Sequence, residues 1–158
     1  MALPLRIEHR IGVQAPAAPI WEMINDINGW SAWNPLYPKA SGVIAFDARL
    51  DLTVAIPGER PREIHPTIVD WTPNEQIIWR LSMLGGLIRS TRYIETETLD
   101  NGNVIFSNGE IFEGRLLWLI GKPRQRAIKA AFTAFGEAVR DRAEAAWKAE
   151  RGDATSAA

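Results

Sequence analysis

Few side chains in this sequence could do acid–base chemistry, and His9 is one of them. It lies within Leu5–Val13, a run in which every second residue is apolar apart from His9 itself. Such alternation is typical of a half-buried strand, so His9 is predicted on the buried face. There an imidazole could orient a ligand or accept a proton, or it could be a structural histidine satisfied by one hydrogen bond. The second histidine, His65, is predicted to face solvent.

Glu110 is the carboxylate predicted on an inner face. It alternates with Phe106, Asn108 and Phe112 in the run Val104–Phe112. Burying a carboxylate without a partner is costly and raises its pKa. A glutamate of raised pKa is suited to general acid–base catalysis. The same residue could equally belong to a structural hydrogen-bonded pair, because structural networks also perturb pKa values.

Arg92 and Tyr93 are adjacent on one predicted strand and must point to opposite faces. The phenol of Tyr93 joins an apolar body to a polar tip, which favours the inner face for Tyr93. Arg92 is then predicted outside, unless it reaches a ligand carboxylate. Ile94 favours the opposite orientation of the strand, because an inward-facing Ile94 would place Arg92 inside and Tyr93 outside.

Other kinds of active site have no support in the sequence. The absence of cysteine excludes disulfides, thiol catalysis and cysteine-based metal sites. Two histidines on different strands make a metal centre implausible. There is no glycine-rich phosphate loop, zinc-protease motif or nucleophile elbow. The sequence therefore predicts no metal and no cofactor.

The balance of basic and acidic residues bears on whether the protein binds nucleic acid or an anionic membrane. The 18 basic and 19 acidic residues nearly cancel, so no strong overall field draws nucleic acid or an anionic membrane. A short basic run, Lys122, Arg124 and Arg126, is interpreted as a solvated face, with a docking patch for an anionic partner as the alternative.

The longest apolar run, Leu116–Ile120, is far shorter than the roughly 20 residues that span a bilayer. The N-terminus has a proline and mixed charges where a signal peptide needs an apolar run. We expect a cytoplasmic protein without integral membrane association; homo-oligomerisation is left open.

The predicted elements have a simple order. A strand at Leu5–Val13 is followed by two short helices, about six strands between Val43 and Phe112, and a long amphipathic helix within Leu116–Glu150. Strands joined by short turns form an antiparallel sheet with one buried face, and the helix must cover that face. The fold class is therefore α+β: a curved antiparallel sheet of about seven strands around a long C-terminal helix. Residues 1–150 are predicted to form one domain, and residues 151–158 a disordered tail.

A twisted sheet wrapped around one helix leaves space for a ligand cavity. The predicted lining is overwhelmingly apolar, which argues against a demanding enzyme. Its apolar members are Leu52, Val54, Ile64, Ile68, Ile77, Trp79, Leu81, Phe106, Phe112, Phe132 and Phe135. Its polar members are His9, Tyr93, Asn108 and Glu110.

Two stretches of the chain resemble the SRPBCC superfamily, also called the START or pollen-allergen-like helix-grip fold. IGVQAPAAPIWEMINDINGWSAWNP, residues 11–35, is similar to that group's opening strand, Ala-Pro and helices, and DNGNVIFSNGEIFEG, residues 100–114, is similar to its last hairpin. Among its members, the sequence looks most like the small stand-alone bacterial proteins. The superfamily includes lipid carriers, polyketide cyclases, hydroxylase subunits and co-chaperones, so the resemblance implies a fold more than an activity.

The resemblance also implies positions for particular residues. The first and last strands pair in this fold, which would bring His9, Asn108 and Glu110 onto neighbouring strands. The two short helices form a V that borders the cavity mouth. We expect Trp33 to cover the entrance and Trp30 to pack under the long helix, or else both to anchor the V.

Three functions remain open. The first is binding, or transport, of a small hydrophobic ligand such as a lipid, isoprenoid, quinone or aromatic polyketide, oriented by His9, Tyr93 and Glu110. The second is a cyclase or dehydratase that uses His9 and Glu110 as acid and base. The third is a co-chaperone- or toxin-like interaction module whose interior is filled by side chains. A convergent polar cluster would favour the enzyme, and a filled interior with an exposed apolar patch would favour the interaction module.

Overall fold

Alternating strands and one long helix account for most of the fold. The computed structural model describes residues 3–157, with side chains described for residues 3–152. The strands are β1 Leu5–Val13, β2 Lys39–Ser41, β3 Asp51–Val54, β4 Arg62–Ile64, β5 Thr67–Thr72, β6 Gln76–Met83, β7 Ile88–Thr98 and β8 Val104–Glu113. The α-helices are α1 Ala17–Asn25 and α2 Lys122–Ala157, and short 3-10 helices cover Ile27–Ala32, Leu84–Gly86 and Leu117–Leu119.

The strands form two antiparallel sheets. The large sheet has five strands in the order β1-β8-β7-β6-β5, and the small sheet has the order β2-β3-β4. The predicted pairing of the first and last strands is confirmed, with His9 opposite Asn108. The α+β class, the long C-terminal helix and the two short helical segments after β1 are confirmed as well.

The prediction of about seven strands in one sheet needs correction. The described chain forms eight strands in two sheets. Pro66 divides what was predicted as a single strand into β4 and β5, because proline has no N–H to donate to a ladder. The three-residue β2 is too short to show a period in the sequence.

Helix α2 closes the concave face of the large sheet. It packs across β1 and β8 and against α1. Phe135 and Val139 on its inner side are fully buried, as are Trp21 and Ile24 of α1. No helix in the described part of the chain combines the length and apolarity needed to cross a bilayer.

The end of α2 differs from the sequence-based expectation. The helix continues to Ala157, whereas residues 151–158 were predicted to form a disordered tail. Alanine is the best helix former, and after Gly152 no strong helix breaker interrupts the backbone up to residue 157. Residue 158 lies outside the described residues.

Candidate functional site

A cavity of about 190 Å³ lies between the large sheet, the small sheet and the first turns of α2. The central strands β6, β7 and β8 supply one wall, the β3–β4 hairpin supplies another, and α2 covers the space. Its lining is mainly apolar, with a small number of polar and charged side chains. The lining residues are Leu36, Tyr37, Val54, Ile56, Arg62, Ile64, Trp79, Leu81, Met83, Leu84, Ile88, Ser90, Arg92, Glu110, Phe112, Ile120, Arg124, Ile128 and Phe132.

The predicted lining residues divide into two groups. Those that border the cavity are Val54, Ile64, Trp79, Leu81, Glu110, Phe112 and Phe132. Those that the structure places away from it are His9, Trp33, Leu52, Ile68, Ile77, Tyr93, Phe106, Asn108 and Phe135. Most of the second group fill the closed part of the interior, where the sheet and helix meet without leaving space.

The predicted orientation of Arg92 and Tyr93 was wrong. Arg92 lies on the inner face of β7 and is only 2% exposed. Tyr93 lies on the outer face, where Nε of Arg6 donates to its hydroxyl at 3.1 Å and the hydroxyl donates to the carboxylate of Glu8. Ile94 is fully buried and lies on the inner face together with Arg92. The orientation of the strand that Ile94 indicated was therefore the correct one.

The buried guanidinium of Arg92 is held by four hydrogen bonds. Nε donates to the hydroxyl of Tyr37 at 3.0 Å, and a terminal nitrogen donates to Oδ1 of Asn108 at 2.9 Å. The other terminal nitrogen donates to the carbonyl oxygens of Tyr93 and Gly109, both at 3.0 Å. The guanidinium carbon also lies 4.2 Å from the ring centroid of Phe132, within cation–π range. Arg92 therefore has a fixed position at the cavity wall.

No carboxylate within the described residues lies within 4.0 Å of the Arg92 guanidinium. Glu110 stands directly opposite Arg92 in the β7–β8 register but forms no ion pair with it. Burial raises the pKa of the Glu110 carboxyl, against the opposing effects of the Arg92 charge and a hydrogen bond to Ser90. The cavity wall thus holds the guanidinium of Arg92 beside the carboxyl group of Glu110, whose ionisation is disfavoured by burial.

Tyr37 reaches the cavity because of a local turn. The side chain of Asn34 accepts hydrogen bonds from the backbone N–H groups of Leu36 and Tyr37, both at 3.0 Å. An asparagine that folds the backbone in this way is characteristic of turns. Tyr37 then packs between Trp30, at 5.4 Å, and Trp79, at 5.9 Å between ring centroids. Sequence reasoning missed Tyr37; the Asn-Pro-x-Tyr-Pro turn signal was present.

The two tryptophans at the V fit the second of the two arrangements expected for them, in which both anchor the V. Trp30 is fully buried beside Tyr37 and donates from its indole nitrogen to backbone carbonyls of α1 at 3.2 Å. Trp33 stacks on Phe135 of α2 at 6.1 Å, and Arg142 covers it at 5.7 Å. Trp33 therefore anchors the V against the helix and does not border the cavity.

His9 is on the inner face, as its alternation predicted, but it contacts the helix. A Cβ at Gly136 of α2 would lie 2.6 Å from its Nδ1, so the helix passes very close to the imidazole. This Nδ1 is buried and has no hydrogen-bond partner among the described residues. Burial and the charge of Lys129 lower the pKa of His9. No hydrogen bond joins His9 to Glu110 in the described part of the chain, so the structure does not bring the suggested acid–base pair together.

Two further arginines border the cavity towards solvent. Arg124, in the first turn of α2, forms an ion pair of 2.9 Å with Glu59 of the β3–β4 loop. Arg62 of β4 lies near enough for its charge to influence the ionisation of Glu110. Three arginines and one glutamate thus give the site a positive balance. Within the described residues no cluster of histidine and carboxylate side chains is suited to a metal ion.

Glu110 should make the stability of the protein depend on pH. Its pKa is raised in the folded state, so the folded protein holds this proton more tightly than the unfolded chain does. Stability is therefore lost as pH rises from the unfolded pKa, about 4.3, through the folded one. The Glu110→Gln variant should melt like the wild type at the acid end and at a higher temperature above that interval.

The measurement is the melting temperature of both proteins between pH 4 and 8. Glu113→Gln removes an exposed carboxylate from the same strand and serves as the control, which should not reproduce the divergence. A difference between Glu110→Gln and wild type that is constant with pH would contradict the expectation.

Comparison with known proteins shows the same architecture in several solved structures. The Zhui aromatase/cyclase from Streptomyces sp. R1128 is 18% identical, with a TM-score of 0.72 over 90% of this chain and 94% of that one. A START superfamily protein from Mycobacterium smegmatis is 18% identical, with a TM-score of 0.69 over 88% and 97% of the two chains. Norcoclaurine synthase from Thalictrum flavum is 15% identical, with a TM-score of 0.66 over 88% and 86%.

No protein-family model and no curated protein sequence matches the chain. At identities of 15% to 18%, these similarities concern the fold. They agree with the five-stranded sheet, the small sheet and the long C-terminal helix described above. The chain therefore has the SRPBCC-type, helix-grip fold.

Proposed function

We propose that the protein binds a small, largely apolar molecule that carries one anionic group. The observation that supports this most directly is the buried guanidinium of Arg92 in the wall of an apolar cavity, without a carboxylate partner within 4.0 Å among the described residues. A buried charge is costly unless it is paired. A ligand carboxylate, sulfonate or enolate would supply the missing negative charge.

The hydrogen-bonding capacity of the site fits such a group. A guanidinium has five N–H donors, and Arg92 uses four of them within the protein. The hydroxyl of Tyr37 accepts from Arg92, and no acceptor for its own hydrogen is found among the described residues. One N–H of Arg92 and the O–H of Tyr37 are therefore free to donate to a ligand oxygen.

The size of the cavity narrows the ligand class. A dry cavity of about 150 Å³ binds benzene, and this cavity measures about 190 Å³. It is suited to one or two rings or a short chain, and it is too small to enclose a two-chain lipid. Burial of apolar ligand surface would contribute about 25 cal/mol per Å² before entropic costs. A monoaromatic or bicyclic acid satisfies both the volume and the charge.

A matched pair of probes tests this proposal. The compounds 2-naphthoate and 2-naphthalenemethanol share their rings and differ in charge, and their affinities are measured by isothermal titration calorimetry at pH 7. We expect 2-naphthoate to bind at least tenfold more tightly, because a hydrogen bond to a charged group contributes about 1.5–3 kcal/mol. Equal affinities, or no binding of either compound, would contradict the proposal.

A cyclase-type enzyme is the second candidate. Glu110, Ser90, Tyr37 and Arg92 meet at one cavity, which is the convergent polar cluster that an enzyme needs. Glu110 could exchange a proton with a carbon acid while Tyr37 and Arg92 stabilise the resulting enolate. An aromatase/cyclase is among the proteins of similar fold. In an enzyme, Glu110→Gln would retain 2-naphthoate binding and lose turnover, whereas a carrier has no turnover to lose. The third hypothesis, an interaction module, predicted an interior filled by side chains. The cavity of about 190 Å³ therefore gives that hypothesis less support.

A further inference from the structure

Two turns beside the cavity expose large apolar side chains. Leu84 and Leu87 lie in the turn after β6, and Trp118 and Leu119 lie in the turn before α2. Trp118 is 74% exposed and Leu84 is 57% exposed. An isolated exposed leucine needs no explanation, but contiguous exposed apolar groups mark interaction sites.

The two turns are joined into one surface. The backbone N–H of Leu87 donates to the carbonyl of Leu84 at 3.2 Å, and that of Leu116 donates to the carbonyl of Leu87, also at 3.2 Å. Leu84 from one turn and Ile120, directly after the other, both border the cavity. We call the exposed residues Leu84, Leu87, Trp118 and Leu119 the rim, since they belong to the two turns through which Leu84 and Ile120 reach the cavity.

The rim adjoins a segment with a strong positive charge. Residues 114–136 contain Arg115, Lys122, Arg124, Arg126 and Lys129 and no acidic residue, although the whole chain has a net charge of −1. Arg124 is paired with Glu59, and Lys129 donates to the backbone carbonyl of Glu8.

The remaining cations of the segment, Arg115, Lys122 and Arg126, are exposed. No carboxylate in the described chain lies within 4.0 Å of any of these three. The near-zero overall charge therefore conceals a group of exposed cations without ion pairs in the segment that carries Trp118 and Leu119, which the overall count of basic and acidic residues could not show.

We propose that the rim docks on an anionic lipid surface. A tryptophan and leucines flanked by exposed cations have the composition of an interfacial membrane contact: the aromatic ring lies at the headgroup level, and the cations face anionic lipids. Charge complementarity selects an anionic lipid surface over a neutral one. Docking there would turn an edge of the cavity towards the bilayer. The proposal does not depend on the ligand proposed above, because it concerns the surface of the ligand-free protein.

Vesicle sedimentation of the full chain tests the proposal. One set of vesicles is phosphatidylcholine alone and the other contains one quarter phosphatidylglycerol, both at low and at high salt. Wild-type protein should partition onto the anionic vesicles at least tenfold more strongly, and 0.5 M NaCl should abolish most of that difference, because salt screens exposed charges. Equal binding to the two kinds of vesicle, or binding that salt does not weaken, would overturn it.

Matched variants locate the contact. Lys122→Gln/Arg126→Gln should weaken partitioning about 25-fold, since each cation near an anionic bilayer contributes about fivefold. Trp118→Ser should weaken it at least tenfold. The controls are Lys39→Gln/Lys148→Gln, which removes two exposed cations elsewhere, and Phe46→Ser, which removes a side chain that is 71% exposed. Equal losses in the rim variants and the controls would overturn the assignment. No sedimentation of wild type with either kind of vesicle would also overturn it, and would favour an acidic protein surface as the occupant.

Discussion

The Gly109→Ala variant should lose about 3 kcal/mol of unfolding free energy, at the upper end of what overpacking costs. Gly109 of β8 pairs directly with Tyr93 of β7 on the outer face of the large sheet. A Cβ at Gly109 would lie 2.5 Å from Cζ of Tyr93 and 2.8 Å from the backbone carbonyl oxygen of Ile7. The ring would have to move, which would break its hydrogen bonds to Arg6 and Glu8.

Chemical denaturation at neutral pH measures this loss, and Gly12→Ala is the matched control. Gly12 belongs to β1 of the same sheet, and a Cβ there meets nothing within 4 Å. The control should differ from wild type by less than about 0.5 kcal/mol, as for most surface substitutions. Adding Tyr93→Ser to Gly109→Ala should remove only part of the penalty, because the Ile7 carbonyl remains. Similar losses at Gly12 and Gly109 would show that the close approach of Tyr93 is not the cause.

The long regular elements follow from periodicity in the sequence. The period-two pattern predicted β1, β6, β7 and β8, because each has one face against the core and the opposite face towards solvent. The small sheet was predicted less well. Alternation in the sequence indicated β3, but β2 and β4 have only three residues each and show no period of their own. Their pairing is fixed by tertiary contacts with the rest of the chain.

The orientation of Arg92 shows where residue-type reasoning failed. A tyrosine is more often buried than an arginine, and that preference favoured the wrong phase of β7. Ile88 and Ile94 share the parity of Arg92, and both are buried, so the apolar period held the correct answer. An arginine becomes tolerable inside because Tyr37, Asn108 and two backbone carbonyls accept its hydrogen bonds. Only the folded chain brings those acceptors together.

The sequence also could not predict which inward-facing side chains line the cavity and which fill the core. Trp79 and Phe106 both lie on the inner face, yet only Trp79 borders the cavity. The difference depends on where α2 touches the sheet. At Gly136 the helix lies against β1 and leaves no room beside His9. Nearer its start, at Ile128 and Phe132, the helix leaves the space that the cavity occupies.

Arg92→Met should lower the affinity for 2-naphthoate at least tenfold and leave the affinity for 2-naphthalenemethanol within about twofold. The substitution removes the charge and the donor available to a ligand, and it retains a long side chain of similar reach. It also leaves Oδ1 of Asn108 and the hydroxyl of Tyr37 without their donor, so some stability will be lost. The comparison of the two probes separates these effects, because a general disturbance of the cavity would weaken both compounds.

Two further variants complete the test. Arg92→Lys keeps the charge but loses the planar arrangement of donors, and it should bind 2-naphthoate with intermediate affinity. Arg89→Met removes an arginine from the same strand on the exposed side and should bind both probes as the wild type does. Unchanged 2-naphthoate affinity in Arg92→Met would show that the anionic group is held elsewhere, with Arg62 and Arg124 as the remaining cations at the cavity. Loss of affinity for the acid alone would assign the recognition of the anionic group to Arg92.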